Sequence, residues 1–240
     1  MKKFLSFLLV LAVIAGLYFL FEEGKCGGIG HGGGTGKSKH KTEFINVKGV
    51  KFKMVKVDGG TFTNAEGLHV NVSTFSIGAT EVTQELWETV MGTNPSKYKP
   101  SPQHPVENFS WSDMRTFISK LNELTGKRFR LPTEAEWEFA ARGGNKSRGY
   151  KYSGSNNYQE VAWDFYANNV NGDGYTHAVA TKGLNELGLT DMSGNVGELC
   201  ADRHSGHGGS VRSRKPEELT PSSRSTDSCP SRYVGFRLAL

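Results

Sequence analysis

The chain has 240 residues, with 22% charged and 36% hydrophobic positions, enough for one globular domain with a real core and too apolar for a wholly disordered chain. Its formal net charge is +5, but the excess sits in Lys2, Lys3, Lys37, Lys39 and Lys41 and in a cluster of Arg212, Arg214 and Lys215 that Glu217 and Glu218 answer at once; with no aromatics interleaved, nucleic acid is not expected as a partner. The three cysteines, Cys26, Cys200 and Cys229, make no disulfide framework, and no His/Cys group has zinc spacing.

Lys2 and Lys3 precede an apolar run from Phe4 to Phe21, so residues 1–26 read as a signal peptide or membrane anchor with the remainder exported. An uncleaved anchor and a lipid on Cys26 are the two leading readings, with simple secretion the third; the first two put the membrane among the partners. Residues 27–43 are Gly- and Lys-rich, cannot bury enough apolar surface to order themselves, and read as a flexible tether. From Phe44 the texture becomes that of a domain, spanning 44–240. Val50 to Val57 alternates apolar and polar residues as a half-buried strand does. Asp58-Gly59-Gly60 reads as a turn, and Thr61-Phe62-Thr63 as the start of its partner strand. Val70 to Ile77 reads as a further strand. Thr83 is placed to cap a helix whose face carries Leu86, Trp87 and Val90. Ser110 or Ser112 caps a longer helix to Thr125, with Met114, Phe117, Ile118, Leu121 and Leu124 at helical spacing and Gly126 as its stop. Thr133 and Glu136 form a capping box for a third helix ending at Ala141. Beyond Gly143, short strands and Gly/Asn/Ser-rich loops dominate, and a bound ion is the usual organiser of loops this long.

Several of these segments resemble one family in order. Gly59-Gly60-Thr61-Phe62, Glu81-Val82-Thr83-Gln84-Glu85-Leu86-Trp87, His104-Pro105-Val106-Glu107-Asn108-Phe109-Ser110-Trp111, Arg130-Leu131-Pro132-Thr133-Glu134-Ala135-Glu136-Trp137-Glu138, Asp191-Met192-Ser193-Gly194-Asn195-Val196 and Gly235-Phe236-Arg237-Leu238 match the formylglycine-generating enzyme, or sulfatase-modifying factor, family. The resemblance implies an α+β, C-type-lectin-like fold with a small mixed sheet, two to three helices and extensive irregular loops. It also implies Ca²⁺: one ion on the side chains of Asp191 and Glu198 and the carbonyls of Gly194 and Val196, and a second near Asn168, Asn169, Asp173 and Tyr175. Oxygen ligands on turning loops suit that cation.

The family's oxidising members hold copper on two nearby cysteines after a Gly-Gly-Ser motif. Here Gly208-Gly209-Ser210 is followed by Val211-Arg212-Ser213-Arg214-Lys215, so copper and a catalytic residue are not expected. His204 and His207, flanked by Gly and Ser, read as exposed loop histidines. Gly197, Leu199 and Val211 stand where the family usually has tryptophan. Odd residues alternate with matched ones through 197–234, which is similar to the variable proteins of diversity-generating retroelements. That resemblance implies a changeable ligand-binding face of Leu199, Ala201, Arg203, His204, Val211, Arg212, Ser223, Ser225, Ser228 and Ser231. The partner expected is an extracellular protein or other surface ligand. The competing expectations are a divergent formylglycine-generating-type oxidase acting on exported proteins and a regulatory partner with an invariant C-terminus.

Overall fold

The computed structural model describes residues 42–167 and 174–240, which fall within the second of two units, Met1–Ser38 and Lys39–Leu240. The anchor and nearly all of the tether lie outside the described residues. Among the described residues no helix is long and apolar enough to cross a membrane.

The domain opens with strand β1 (Thr42–Val47), which pairs antiparallel with β2 (Val50–Val57) in the register Thr42↔Val55 to Val47↔Val50. The two connecting residues, Lys48 and Gly49, both have positive φ (50° and 97°), and Asn46 Oδ1 accepts from Gly49 N at 2.9 Å. A two-residue loop of this hand matches the twist of the strands it joins. Alternation along β2 divides the core: Met54 packs in one apolar cluster, and Val55 and Val57 in another.

The expected partner strand is corrected. β3 (Gly60–Thr63) pairs with β4 (His69–Val72), while the second neighbour of β2 is β5 (Phe75–Gly78). A side chain at Gly59 would lie 2.6 Å from the Val72 carbonyl, and Asn145 Nδ2 donates to the Asp58 and Gly59 carbonyls (3.2 and 2.9 Å), so the chain is drawn away from a simple hairpin. The stretch expected as one strand from Val70 to Ile77 is likewise two, broken at Ser73-Thr74.

The three helices follow their capping signals. Thr83 caps α1 (Gln84–Met91), with Leu86 N donating to its hydroxyl at 3.2 Å. Ser110 and Asp113 box the start of α2 (Trp111–Thr125), and left-handed Gly126 ends it. Thr133 and Glu136 do the same for α3 (Glu134–Ala141). Leu124, expected on the packed face of α2, is instead 46% exposed. Trp87 of α1 stacks on Phe117 (ring centroids 4.9 Å) and Phe109 (5.3 Å) and meets Phe236 edge-on, which locks α1 and α2 to the C-terminal segment.

After a one-turn helix α4 (Tyr158–Val161), the last third is loop-rich, as expected, and contains a three-stranded sheet: β6 (Gly197–Cys200) lies between antiparallel β7 (Arg203–His207) and parallel β8 (Val234–Gly235). The chain end ties the domain shut. Leu240 and Ser76 exchange backbone hydrogen bonds (2.9 and 3.0 Å), as do Ala239 and Arg130 (2.8 and 3.0 Å).

Candidate functional site: a polar face on a buried ionic frame

Arg237 is fully buried in the last third of the chain. Its Nε and Nη2 donate to the two carboxylate oxygens of Glu198, Nη1 donates to the Gly78 carbonyl at 3.0 Å, and Nη2 donates to the Thr190 carbonyl at 3.0 Å. Trp137 Nε1 donates to Glu198 Oε2 at 2.7 Å. Beside them Glu81, also buried, accepts from Asn195 Nδ2 (2.8 Å) and from Val196 N (3.2 Å). Asn195 Oδ1 accepts from His177 N at 2.8 Å. Burial, with Asp191 and Glu198 close by, pushes the Glu81 carboxyl well above the usual range. For Arg237, burial works against the charge, but Glu198 more than offsets it and the guanidinium pKa is raised. This network pins the loop from Asp191 to Glu198, where Asp191 and Asn195 both take left-handed φ of 57°. Glu81, Asn195 and Arg237 were not among the sequence-predicted site residues; their signal was membership of the matched Glu-Val-Thr, Gly-Asn-Val and Gly-Phe-Arg motifs.

The expected first calcium ligands divide. Glu198 accepts three hydrogen bonds, Oε1 from Arg237 and Oε2 from Arg237 and Trp137, so its charge is already paired with the buried guanidinium. Asp191 Oδ2 accepts from Ala180 N at 2.8 Å, whereas its Oδ1 is buried with no hydrogen-bond partner, the kind of orphaned oxygen a cation satisfies. Among the described residues no group of three or more His, Cys, Asp or Glu side chains is placed to hold a metal. Of the second set, Asn168, Asn169 and Asp173 lie outside the described residues, and Tyr175 stacks on Tyr98 at 4.3 Å.

Above this frame runs the Gly208-Gly209-Ser210 turn. Gly208 and Gly209 have φ of 80° and 76°, and a side chain at Gly208 would strike the Met192 carbonyl at 2.6 Å and the Trp137 ring at 2.9 Å, so only glycine lets the chain cross here. Ser210 and Ser213 close the next turn: Ser213 N donates to the Ser210 carbonyl (2.9 Å) and Ser210 N to Ser213 Oγ (3.1 Å). Val211 and Ser213 point inward and Arg212 and Arg214 outward. An open cavity of about 560 Å³ results, lined by Arg212, Arg214, Arg224, Ser223, Ser225 and Asp227 among others. Arg212 Nη1 donates to Asp227 Oδ1 at 3.0 Å across it.

Among the residues expected on the changeable face, Arg212, Ser223 and Ser225 line this cavity. Ala201 and Ser228 are exposed elsewhere, and Ser231 is partly buried, accepting from Tyr233 N on its hydroxyl at 3.2 Å. The side chains of Arg203 and His204 lie outside the described residues. Leu199 and Val211 are corrections: both are completely buried, Leu199 in the aromatic cluster of Trp87 and Phe236, so neither can meet a ligand. β6 is the central strand of its sheet and is buried on both faces, with Leu199 in one apolar cluster and Cys200 in the other, which explains the first; the inward turn of the Ser210–Ser213 loop explains the second. His207 is also corrected, being buried with its ring 5.5 Å from that of Trp137. At Gly197 an added side chain would start 3.4 Å from the Gly206 Cα and 3.6 Å from the Tyr233 carbonyl, between the two flanking strands.

Cys200 and Cys229 are both free thiols. Cys200 is buried on β6, where burial and then the nearby Glu198 hold its pKa well above the usual range. Neither lines the cavity.

Comparison with known proteins agrees with this geometry. The model of the sulfatase-modifying factor enzyme 1-like domain matches residues 37–240. The chaperone protein LppX of Paenibacillus barcinonensis is 36% identical over 203 residues, covering 63% of this chain and 72% of that one. The formylglycine-generating enzyme of Thermomonospora curvata is 37% identical over 109 residues, 42% of this chain; the match spans only 34% of that enzyme. Among solved structures, Treponema denticola variable protein 1 superposes with a TM-score of 0.70 at 28% identity, over 82% of this chain and 98% of that one. The α+β, C-type-lectin-like fold expected from the sequence is therefore the fold of this domain, and the chain belongs to the formylglycine-generating enzyme, or sulfatase-modifying factor, family.

Proposed function

We propose that this chain is an exported, membrane-tethered binding protein that presents the Arg212–Ser223–Ser225 cavity to an extracellular protein or other surface ligand. One observation carries the reading: where oxidising members of the family keep paired thiols, this chain has an open cavity of hydroxyls, guanidiniums and the carboxylates of Glu218 and Asp227 without a thiol, set on a buried ionic frame. Rigidity of the supporting frame limits the entropy lost on binding. The likeness to Treponema denticola variable protein 1 supports a face whose residues differ between copies of the gene. Calcium, if bound, would rest on Asp191 Oδ1 and main-chain oxygens, with Glu198 left to Arg237.

The test is the coding region for Gly197 to Val234 read across many isolates. Scatter at Arg212, Ser223, Arg224 and Ser225, with Leu199 and Val211 held apolar, is expected. An invariant region, or oxidation of a cysteine-containing peptide by the copper-loaded protein, would overturn the reading in favour of a fixed partner or an enzyme.

A further inference from the structure

A second cavity of about 350 Å³ adjoins the first and shares Arg212 and Arg214 with it. Its other walls are Phe165, Gly174, Tyr175, Arg232 and Tyr233, so among the described residues three guanidiniums line it and no carboxylate does. Each guanidinium is braced on a ring: Arg214 lies 4.3 Å from the Phe165 centroid, Arg232 lies 4.8 Å from Tyr233 and 6.0 Å from Tyr175, and Arg212 lies 5.4 Å from Tyr233. Arg212 is neutralised by Asp227. Arg214 and Arg232 have no ion pair among the described residues; of the acidic residues that follow Arg214, Glu217 pairs with Lys151 and Glu218 accepts from the Arg214 backbone N–H at 2.9 Å.

Backbone hydrogen bonds hold together the segments that carry these side chains. Phe165 N donates to the Ser213 carbonyl (3.0 Å), tying the ring to the turn that carries both Arg212 and Arg214. Asn108 N donates to the Ser231 carbonyl (2.9 Å), anchoring the segment of Arg232 and Tyr233. Ring contact uses the flat face of a guanidinium and leaves its in-plane N–H donors for a planar, bidentate acceptor. Carboxylates and phosphates both fit that fork, and the carboxylate is the one that a protein partner carries on its own side chains. Stacking sugars would need open aromatic faces, but Phe165 and Tyr233 are already covered by arginines, whereas arginine and tyrosine set around a pocket are the residues that anchor protein partners.

We infer that this cavity binds a carboxylate-rich segment of a protein partner, through Arg214 and Arg232, with Arg212 linking it to the neighbouring groove. The inference rests on the binding role proposed above and names its ligand chemistry. The experiment is fluorescence anisotropy of the full chain in detergent with a labelled oligoglutamate peptide. A labelled oligoglutamine and a sulfated heparin oligosaccharide serve as parallel probes. Oligoglutamate is expected to bind, to weaken by ~10-fold or more in the Arg214→Gln/Arg232→Gln double variant, and to be unchanged in Lys56→Gln, which lines neither cavity. Arg214→Lys, which keeps charge but not the planar fork, should lose part of that affinity. The double variant should unfold with the wild-type midpoint. No binding of oligoglutamate, equal weakening by Lys56→Gln, or binding of the sulfated oligosaccharide alone would each overturn the inference. Oligoglutamate bound through Arg214 and Arg232 by a chain whose 197–234 region never varies would uphold it while removing the diversified receptor. A varied region with no oligoglutamate binding would do the reverse.

Discussion

Replacing Arg237 by methionine keeps an unbranched chain of similar length and deletes the buried cation. Glu198 would be left with Trp137 Nε1 as its remaining donor, and the Gly78 and Thr190 carbonyls would each lose a hydrogen bond. Removing one partner of a buried ion pair costs about 3–5 kcal/mol, and each orphaned carbonyl adds about 1 kcal/mol. The expected loss is therefore roughly 5–7 kcal/mol, or on the order of 10–28 °C in Tm for a domain of this size. Urea unfolding followed by tryptophan fluorescence suits the measurement, because Trp137 touches the pair directly. Adding Glu198→Gln to Arg237→Met removes the stranded charge and should recover about 2 kcal/mol. A single variant costing less than about 1 kcal/mol, or a double variant no better than the single, would show that the frame does not depend on this pair.

Three further outcomes are expected. Leu199→Ser should cost about 2–5 kcal/mol by urea unfolding, whereas Ser225→Ala should stay within about 1 kcal/mol, since only the first opens the core; equal costs would contradict the burial assigned to Leu199. Calcium should raise Tm of the wild type and leave Asp191→Ala unmoved by scanning calorimetry, because the orphaned oxygen is then gone; a rise of equal size in both would exclude Asp191 as a ligand. Glu107 Oε1 accepts from Lys97 N and Tyr98 N while its buried Oε2 has no partner, and burial raises its carboxyl pKa. The unfolded chain ionises first, so this contribution to stability is full below the unfolded pKa and falls as pH rises through the folded one. Glu107→Gln keeps the acceptor and cannot ionise, so its urea midpoint should gain on the wild type between about pH 4 and neutrality; a constant difference would refute the raised carboxyl.

The helices were legible because their signals are local. Thr83, Ser110 with Asp113, and Thr133 with Glu136 each bond to backbone no more than three residues away, and Gly92 and Gly126 end helices by their own positive φ. The glycine pair of Gly208-Gly209 was likewise readable as a motif, although its cause, the crossing of Trp137, is a contact between residues far apart in sequence. Strand partners were not readable. Whether Thr61-Phe62-Thr63 joins β2 or β4 depends on Asn145 holding the Asp58-Gly59 turn, more than eighty residues on.

The same division separates the face from the frame. Order and identity of the motifs determined the family, the lack of paired thiols after Gly-Gly-Ser, and the loop-rich C-terminal third. Only the tertiary structure decided which odd residues are inside. Leu199 and Arg212 look alike as departures from a family pattern, yet one is sealed among Trp87 and Phe236 and the other opens to solvent. It also decided that Glu198 faces Arg237, thirty-nine residues later, and that Arg214 and Arg232 meet around one cavity. Burial and charge pairing are set by which segments pack together, and that depends on the closure of the chain end onto β5 and Arg130, which no short stretch of sequence specifies.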